Sequence, residues 1–383
     1  MTAVLLTSCS AADTPKARAA PTLVLSTGSG IEGVSAGGVL RYRVPDGVAT
    51  TDGSTIMAAQ GDQLVIRDAH TGSTRQTVRV GPGLTVSNIS PDGTLVALTT
   101  QASVSYLPAG RTETRFAVVR LPMGTVTPYR LTGNFLPDAF SNGGSGLFLV
   151  SYLPAQAPDR YQITWLDLSN GSVVGVFGRD KKALEDMRGL AGTKTMSPDH
   201  TALYTLYLRP PAQLGATTDT MRAEVHTLHL DQNWAHCIDL PEGFGGSNLS
   251  SSALAIAPDG KRLYVVDRAV RRLVEIDTDR LAITRTVDIP LTAQSGATSV
   301  VVGRDGHLYV SDGTGVLALR LITLAVDRSW QTPGPVTALA VAGDGRGLLV
   351  SRPSYVDTYD VASRRHTSTS VPSDAIAVRH LLT

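Results

Sequence analysis

Several features that commonly place a sequence are missing from these 383 residues. There are two cysteines, Cys9 and Cys237, too few for the disulfide framework that staples small secreted domains. Neither sign of charge is in excess, since 34 Lys and Arg stand against 33 Asp and Glu. No dense basic stripe occurs either, and holding a phosphate backbone requires one, so nucleic acid is excluded as an expected partner. No run of about 18 or more apolar residues exists, so the folded part is not expected to cross a bilayer. Long stretches with apolar residues at helical spacing are nearly absent too, which argues against a helical fold.

What is present is 37 Gly, 21 Pro and much Val and Thr, the composition of many short strands joined by tight turns. The expected class is all-β. The first residues, "MTAVLLTSCSAADTPKARAAP", differ from the rest, being briefly apolar and then small and polar. Leu6-Thr7-Ser8-Cys9 resembles the bacterial lipobox, which implies diacylation at Cys9 and a position on the outer side of the cytoplasmic membrane. Residues 1–21 then form a signal remnant and tether, 22–383 form a single domain, and the membrane is a partner through the lipid alone. If Cys9 is acylated, Cys237 has no cysteine to pair with and reads as a small buried hydrophobe.

From about residue 47 a pattern recurs of strand, Asp-Gly-type turn, hydrophobic strand, third strand, polar turn and fourth strand. Its turns fall at Asp52, Asp92, Asn142, Asp199, Asp259, Asp305 and Asp344, at intervals of 40, 50, 57, 60, 46 and 39 residues. Such a period fits a four-stranded propeller blade, some blades being enlarged. The turn residues have a mechanical purpose: Asp bonds the backbone two residues on, and Gly accepts positive φ. "IAPDGKRLYVVDRAVRRLVEIDTDRLAITRTVDIP" (256–290) is the clearest copy. It resembles the YVTN family of bacterial β-propellers, a likeness that implies a fold and no particular reaction.

Seven turns make seven blades, yet strand-like sequence remains at both ends. "DAIAVRHLL" (374–382) resembles an innermost strand, and "TLVLSTGSGIEGVSAGGVLRYRV" (22–44) supplies three more pieces. Sewn together they make an eighth blade and remove the open edges of a broken ring. Eight blades are expected, with seven as the alternative. The same N-terminal segment contains Gly28-x-Gly30-x-x-Gly33 and Gly33-x-Ser35-x-Gly37, spacings shared with dinucleotide sites and hydrolase elbows. Both need a helix at the glycines. Strand-like sequence follows instead, so the glycines are read as bends.

The densest ligand-like cluster is His226, His229, His236 and Cys237. With a turn at Asp231-Gln232-Asn233, Leu230 would face Trp234, pairing His226 with His236 on one face and His229 with Cys237 on the other. Ligands divided in this way do not converge on a metal, so none is expected. Quinone dehydrogenases of propeller fold use a tryptophan motif in every blade, whereas only Trp165, Trp234 and Trp330 occur here. No cofactor is expected.

Three consecutive blades share an enlargement between their second and third strands: "SYLPAGRTETR" from Ser105, "SYLPAQAPDRY" from Ser151 and "LYLRPPAQLGATTDTMR" from Leu206. A long connection, 179–194, has Leu184, Met187 and Leu190 at helical spacing and should join them on one face. Long loops gathered in one place favour function. Tyr106, Tyr152 and Tyr207 are expected as exposed contacts, with Arg111, Arg115, Arg160, Arg209 and Arg222 orienting an anionic partner. The expected function is binding of a protein, peptide or envelope glycan. The rival is a lactonase- or lyase-type enzyme acting at the central channel.

Overall fold

The computed structural model describes residues 22–100, 107–179, 182, 186–208, 223–245, 249–292, 297–343, 345–363, 365–372 and 375–382. Cys9 lies outside them, as do Tyr106, Arg209 and Arg222. Among the described residues the chain is nearly all strand and turn, with one 3-10 turn at Leu249–Ser251 and no helix long and apolar enough to cross a membrane.

Eight antiparallel sheets form eight blades. Blade 1 is closed by the two chain ends, its strands Leu40–Pro45, Gly30–Ser35 and Thr22–Thr27 from the N-terminal side leading inward to Ala375–Leu382. Blades 2 to 8 follow in chain order and begin with the inner strands Val48–Ala49, Thr85–Ile89, Asn134–Phe140, Leu190–Met196, Ser252–Ile256, Val300–Val302 and Ala338–Val341. Blade 5 has a fifth strand, Phe177–Gly178, laid parallel to its outer strand Trp234–Asp239.

The core consists of eight apolar layers, one between each pair of neighbouring blades. Between blades 8 and 1, Leu349 and Val356 pack with Leu23, Leu25 and Val378. Between blades 1 and 2, Val24, Ile31 and Val44 pack with Ile56 and Ala58. The ring is therefore complete, and second strands such as Leu263–Val266, buried on both faces, read as continuous apolar runs.

Four of the aspartate turns do what their sequence implies. Backbone N–H groups two residues on donate to Asp52, Asp92, Asp199 and Asp259 at 3.0 to 3.2 Å. The glycine-rich stretch 26–38 is two strands and their turns, with Gly30 and Gly38 at φ 144° and 83°. No helix opens there, so neither the dinucleotide nor the hydrolase geometry exists.

Two local expectations are corrected. Helical spacing in 179–194 does not produce a helix among the described residues: Met187 bridges Tyr161 and is buried against blade 4, and Leu190, also buried, opens the inner strand of blade 5. Leu184 lies outside the described residues. The histidine hairpin is shifted by one residue, with His229 opposite Trp234 and His226 opposite Cys237. Asn233 at φ 53° makes this register possible by turning the chain through the left-handed region. A one-residue slip exchanges faces, so His226 shares a face with Cys237, and His229 with His236.

Candidate functional site

The inner strands of blades 3, 4 and 5 are irregular in the same way. Each breaks register with its neighbour, between Val86 and Asn88, between Pro137 and Ala139, and between Ala191 and Lys194. Inserted residues bend a strand and re-aim its side chains. The inner strands of blades 2, 6, 7 and 8 pair without such a break.

At these breaks the ring opens into a cavity of about 290 Å³, lined by Ser87 and Asn88 of blade 3, Leu136 to Asp138 of blade 4 and Gly189 to Gly192 with Lys194 of blade 5. Leu107, Tyr152, Tyr161 and Tyr207 complete the wall. Described parts of all four enlargements thus meet at one place. Asp138 is buried, and the Lys194 ammonium donates to its carboxylate, joining the inner strands of blades 4 and 5. Asn88 donates to the Asp138 carbonyl at 2.6 Å and ties in blade 3.

Tyr152 and Tyr207 were expected to be exposed and are buried, at 8% and 4% exposure. The reason is positional: each stands at the end of a second strand whose face packs between blades 4 and 5, not at a loop tip. Tyr161, directly opposite Tyr152, completes a row, with ring centroids 6.0 Å apart for Tyr152–Tyr161 and 5.5 Å for Tyr161–Tyr207. Behind Tyr207 lies the buried His226, its ring edge-on at 5.9 Å.

Burial sets the ionisation of this row. It pushes the Tyr152 hydroxyl up to about 12 and raises Tyr161 and Tyr207 well above the usual tyrosine value. All three stay protonated near neutral pH. Burial also drives His226 down to about 4, so its ring is neutral.

The three described arginines expected to greet an anion, Arg111, Arg115 and Arg160, already have partners. Arg111 turns inward and donates to Asn134 Oδ1 at 2.8 Å and to the Phe135 carbonyl. Arg160 pairs with Asp159 at 2.8 Å and Asp186 at 2.5 Å, and Arg115 with Glu113 at 2.6 Å. Sequence reasoning missed Asp138, Lys194 and Tyr161. A carboxylate within an otherwise apolar inner strand, "NFLPDAF", was the available signal for the first.

Fold and site together define an all-β, eight-bladed β-propeller with a tyrosine-lined cavity in the wall of its channel. Two structures of AztD from Citrobacter koseri, one of apo AztD and one a crystal structure, are similar to it at 12% identity, with TM-scores of 0.57 and 0.59. Each match covers 95% of this chain and 98% of AztD. A eukaryotic initiation factor structure is also similar, at 12% identity and TM-score 0.54, over 91% of this chain and 85% of that one. Identities this low show a shared fold alone. No family model matches the chain. No curated protein matches it either.

Proposed function

We propose that the chain is a binding protein of the bacterial cell envelope, anchored through lipid on Cys9 and related to the repeat proteins its Pro-Asp-Gly copies resemble. It takes a protein, peptide or envelope glycan by admitting one unit of that partner, a side chain or a sugar, into the cavity between blades 4 and 5. Tyr161 carries this reading. The residue lines the cavity, and its hydroxyl is buried and makes no hydrogen bond within the protein. A buried polar group left unpaired costs about 1–3 kcal/mol, and a polar atom on an inserted ligand would offset that cost. Acid–base chemistry needs a group poised near the working pH, whereas the three tyrosines remain protonated and serve as fixed donors. That favours binding over the lactonase- or lyase-type alternative.

The test uses a photo-crosslinking residue at Gln156, exposed on the loop beside Tyr152, and a second protein carrying Ala191→Phe to fill the cavity. The parent should capture a discrete species in its host, and the filled variant should lose it while melting at nearly the same temperature. Equal capture by both would overturn the site. Lipid labelling that persists in Cys9→Ala would overturn the anchor.

A further inference from the structure

Three blades round the ring, between blades 7 and 8, an open groove of about 440 Å³ carries a second set of aromatic side chains. Trp330 comes from the outer strand of blade 7, Val326–Gln331, opposite Val316. Tyr359 and His366 face each other across the third and outer strands of blade 8, Tyr355–Asp360 and His366–Ser370. Their rings stack, with centroids 5.2 Å apart and planes inclined by 21°, and Trp330 stands 5.4 Å from Tyr359 at 52°. The result is a flat aromatic floor with one raised wall, and His366 is exposed along it.

The charges of this groove are already balanced. Arg328 Nη2 donates to the Tyr309 hydroxyl at 3.0 Å and lies 3.4 Å from Asp305. Asp360 accepts from the Ala362 and Ser363 backbone at 3.1 and 2.6 Å. Those contacts hold its carboxyl below the usual range, and Arg346 contributes. Neither an anion nor a cation gains a free counter-charge here. Arg328 Nε is buried and makes no hydrogen bond within the protein, which favours a ligand rich in acceptors.

We propose that the groove binds a neutral oligosaccharide. A pyranose ring offers an apolar C–H face to stack on Tyr359 and His366, and a rim of hydroxyls able both to donate to and accept from the His366 ring and to accept from the Arg328 guanidinium. An extended peptide fits less well, because strand addition uses a free sheet edge, whereas side chains on facing blade surfaces line this groove.

Trp330 makes the binding measurable. In a protein carrying Trp165→Phe and Trp234→Phe, Trp330 is the sole tryptophan, and its fluorescence is titrated with cellohexaose, chitohexaose and mannohexaose, and with decaproline. At least one sugar should give a saturable change. The affinity should fall about tenfold or more in His366→Ala, an exposed position whose loss leaves the fold intact. Unchanged sugar affinity in that folded variant, a response to decaproline alone, or no response to any of the sugars would each overturn the proposal. The cavity between blades 4 and 5 contributes no residue to this groove, so failure here leaves the earlier reading standing.

Discussion

His226 ties stability to pH through a single buried ring. It is 2% exposed, its Nε2 has no hydrogen bond within the protein, and burial holds its folded-state value at about 4 against 6.5 for the free side chain. Between those limits the unfolded chain binds the extra proton, so stability is complete above about 6.5 and falls as pH drops toward 4. At pH 5 the loss is about 2 kcal/mol, and His226→Leu should remove it. Urea unfolding at pH 7 and pH 5 checks this: a pH dependence equal in both proteins would show that the ring is accessible. Tyr207 gives the companion case. Truncation to Ala should destabilise by about 3–5 kcal/mol, whereas Tyr161→Phe should melt normally and lose capture, since only the unpaired hydroxyl is removed. At this scale the sequence drew attention to residues that line the cavity, such as Tyr152 and Tyr207, more readily than to where they point. The Tyr and Pro recurrence located the cavity, but inward or outward direction depends on strand parity. A one-residue error at Asn233 was enough to exchange the histidine faces.

The recurring turn is the element that best repays reading from sequence, because its chemistry is local. In the Ser197 copy, the hydroxyl donates to Asp199 at 2.6 Å and accepts from the Thr201 and Ala202 backbone at 3.0 and 2.9 Å. Ser90 repeats the arrangement with Asp92 and Leu95, and Thr50 with Asp52 and Thr55. Ser197→Ala should cost about 1–3 kcal/mol, since it strands the buried Ala202 N–H, as urea midpoints will show. A cost below a few tenths would mean that the turn is held by its backbone alone. The Ser197 hydroxyl also holds the Asp199 carboxyl below its usual range, as the Ser169 hydroxyl does for Asp167. This stabilisation is complete above about pH 4 and is lost as pH falls through the lowered values. The bulges at Ser87, Asp138 and Gly192 were not legible. A bulge is defined by the partner strand as much as by its own, and nothing in "NFLPDAF" alone states that Ala139, not Asp138, pairs with Phe148.

Closure of the ring is a property of the whole molecule, yet it was visible in the sequence because each blade needs four strands and the leftovers at the two ends completed one. Ala375–Leu382 pairs along Thr22–Thr27, and Val378, 3% exposed, packs with Leu23, Leu25 and Val356 while its N–H donates to Ser351 at 2.8 Å. The strand therefore holds blade 1 in place and seals blade 8. Removing 375–382 should delete the inner strand of blade 1, leave Thr22–Thr27 unpaired on that side, expose two apolar layers and lower the melting temperature far more than the roughly 2–4 °C expected for each kcal/mol in a sizeable domain. Val378→Asp, which buries one charge at the same junction, should act in the same direction with the strand still present. Calorimetry of both proteins decides the matter. Because every interblade layer depends on its neighbours, the loss should come as a single transition that includes the cavity between blades 4 and 5, although that site lies across the ring from the cut. An early, separate transition confined to blades 8 and 1 would show instead that the remaining blades hold themselves, and that closure contributes to stability only locally.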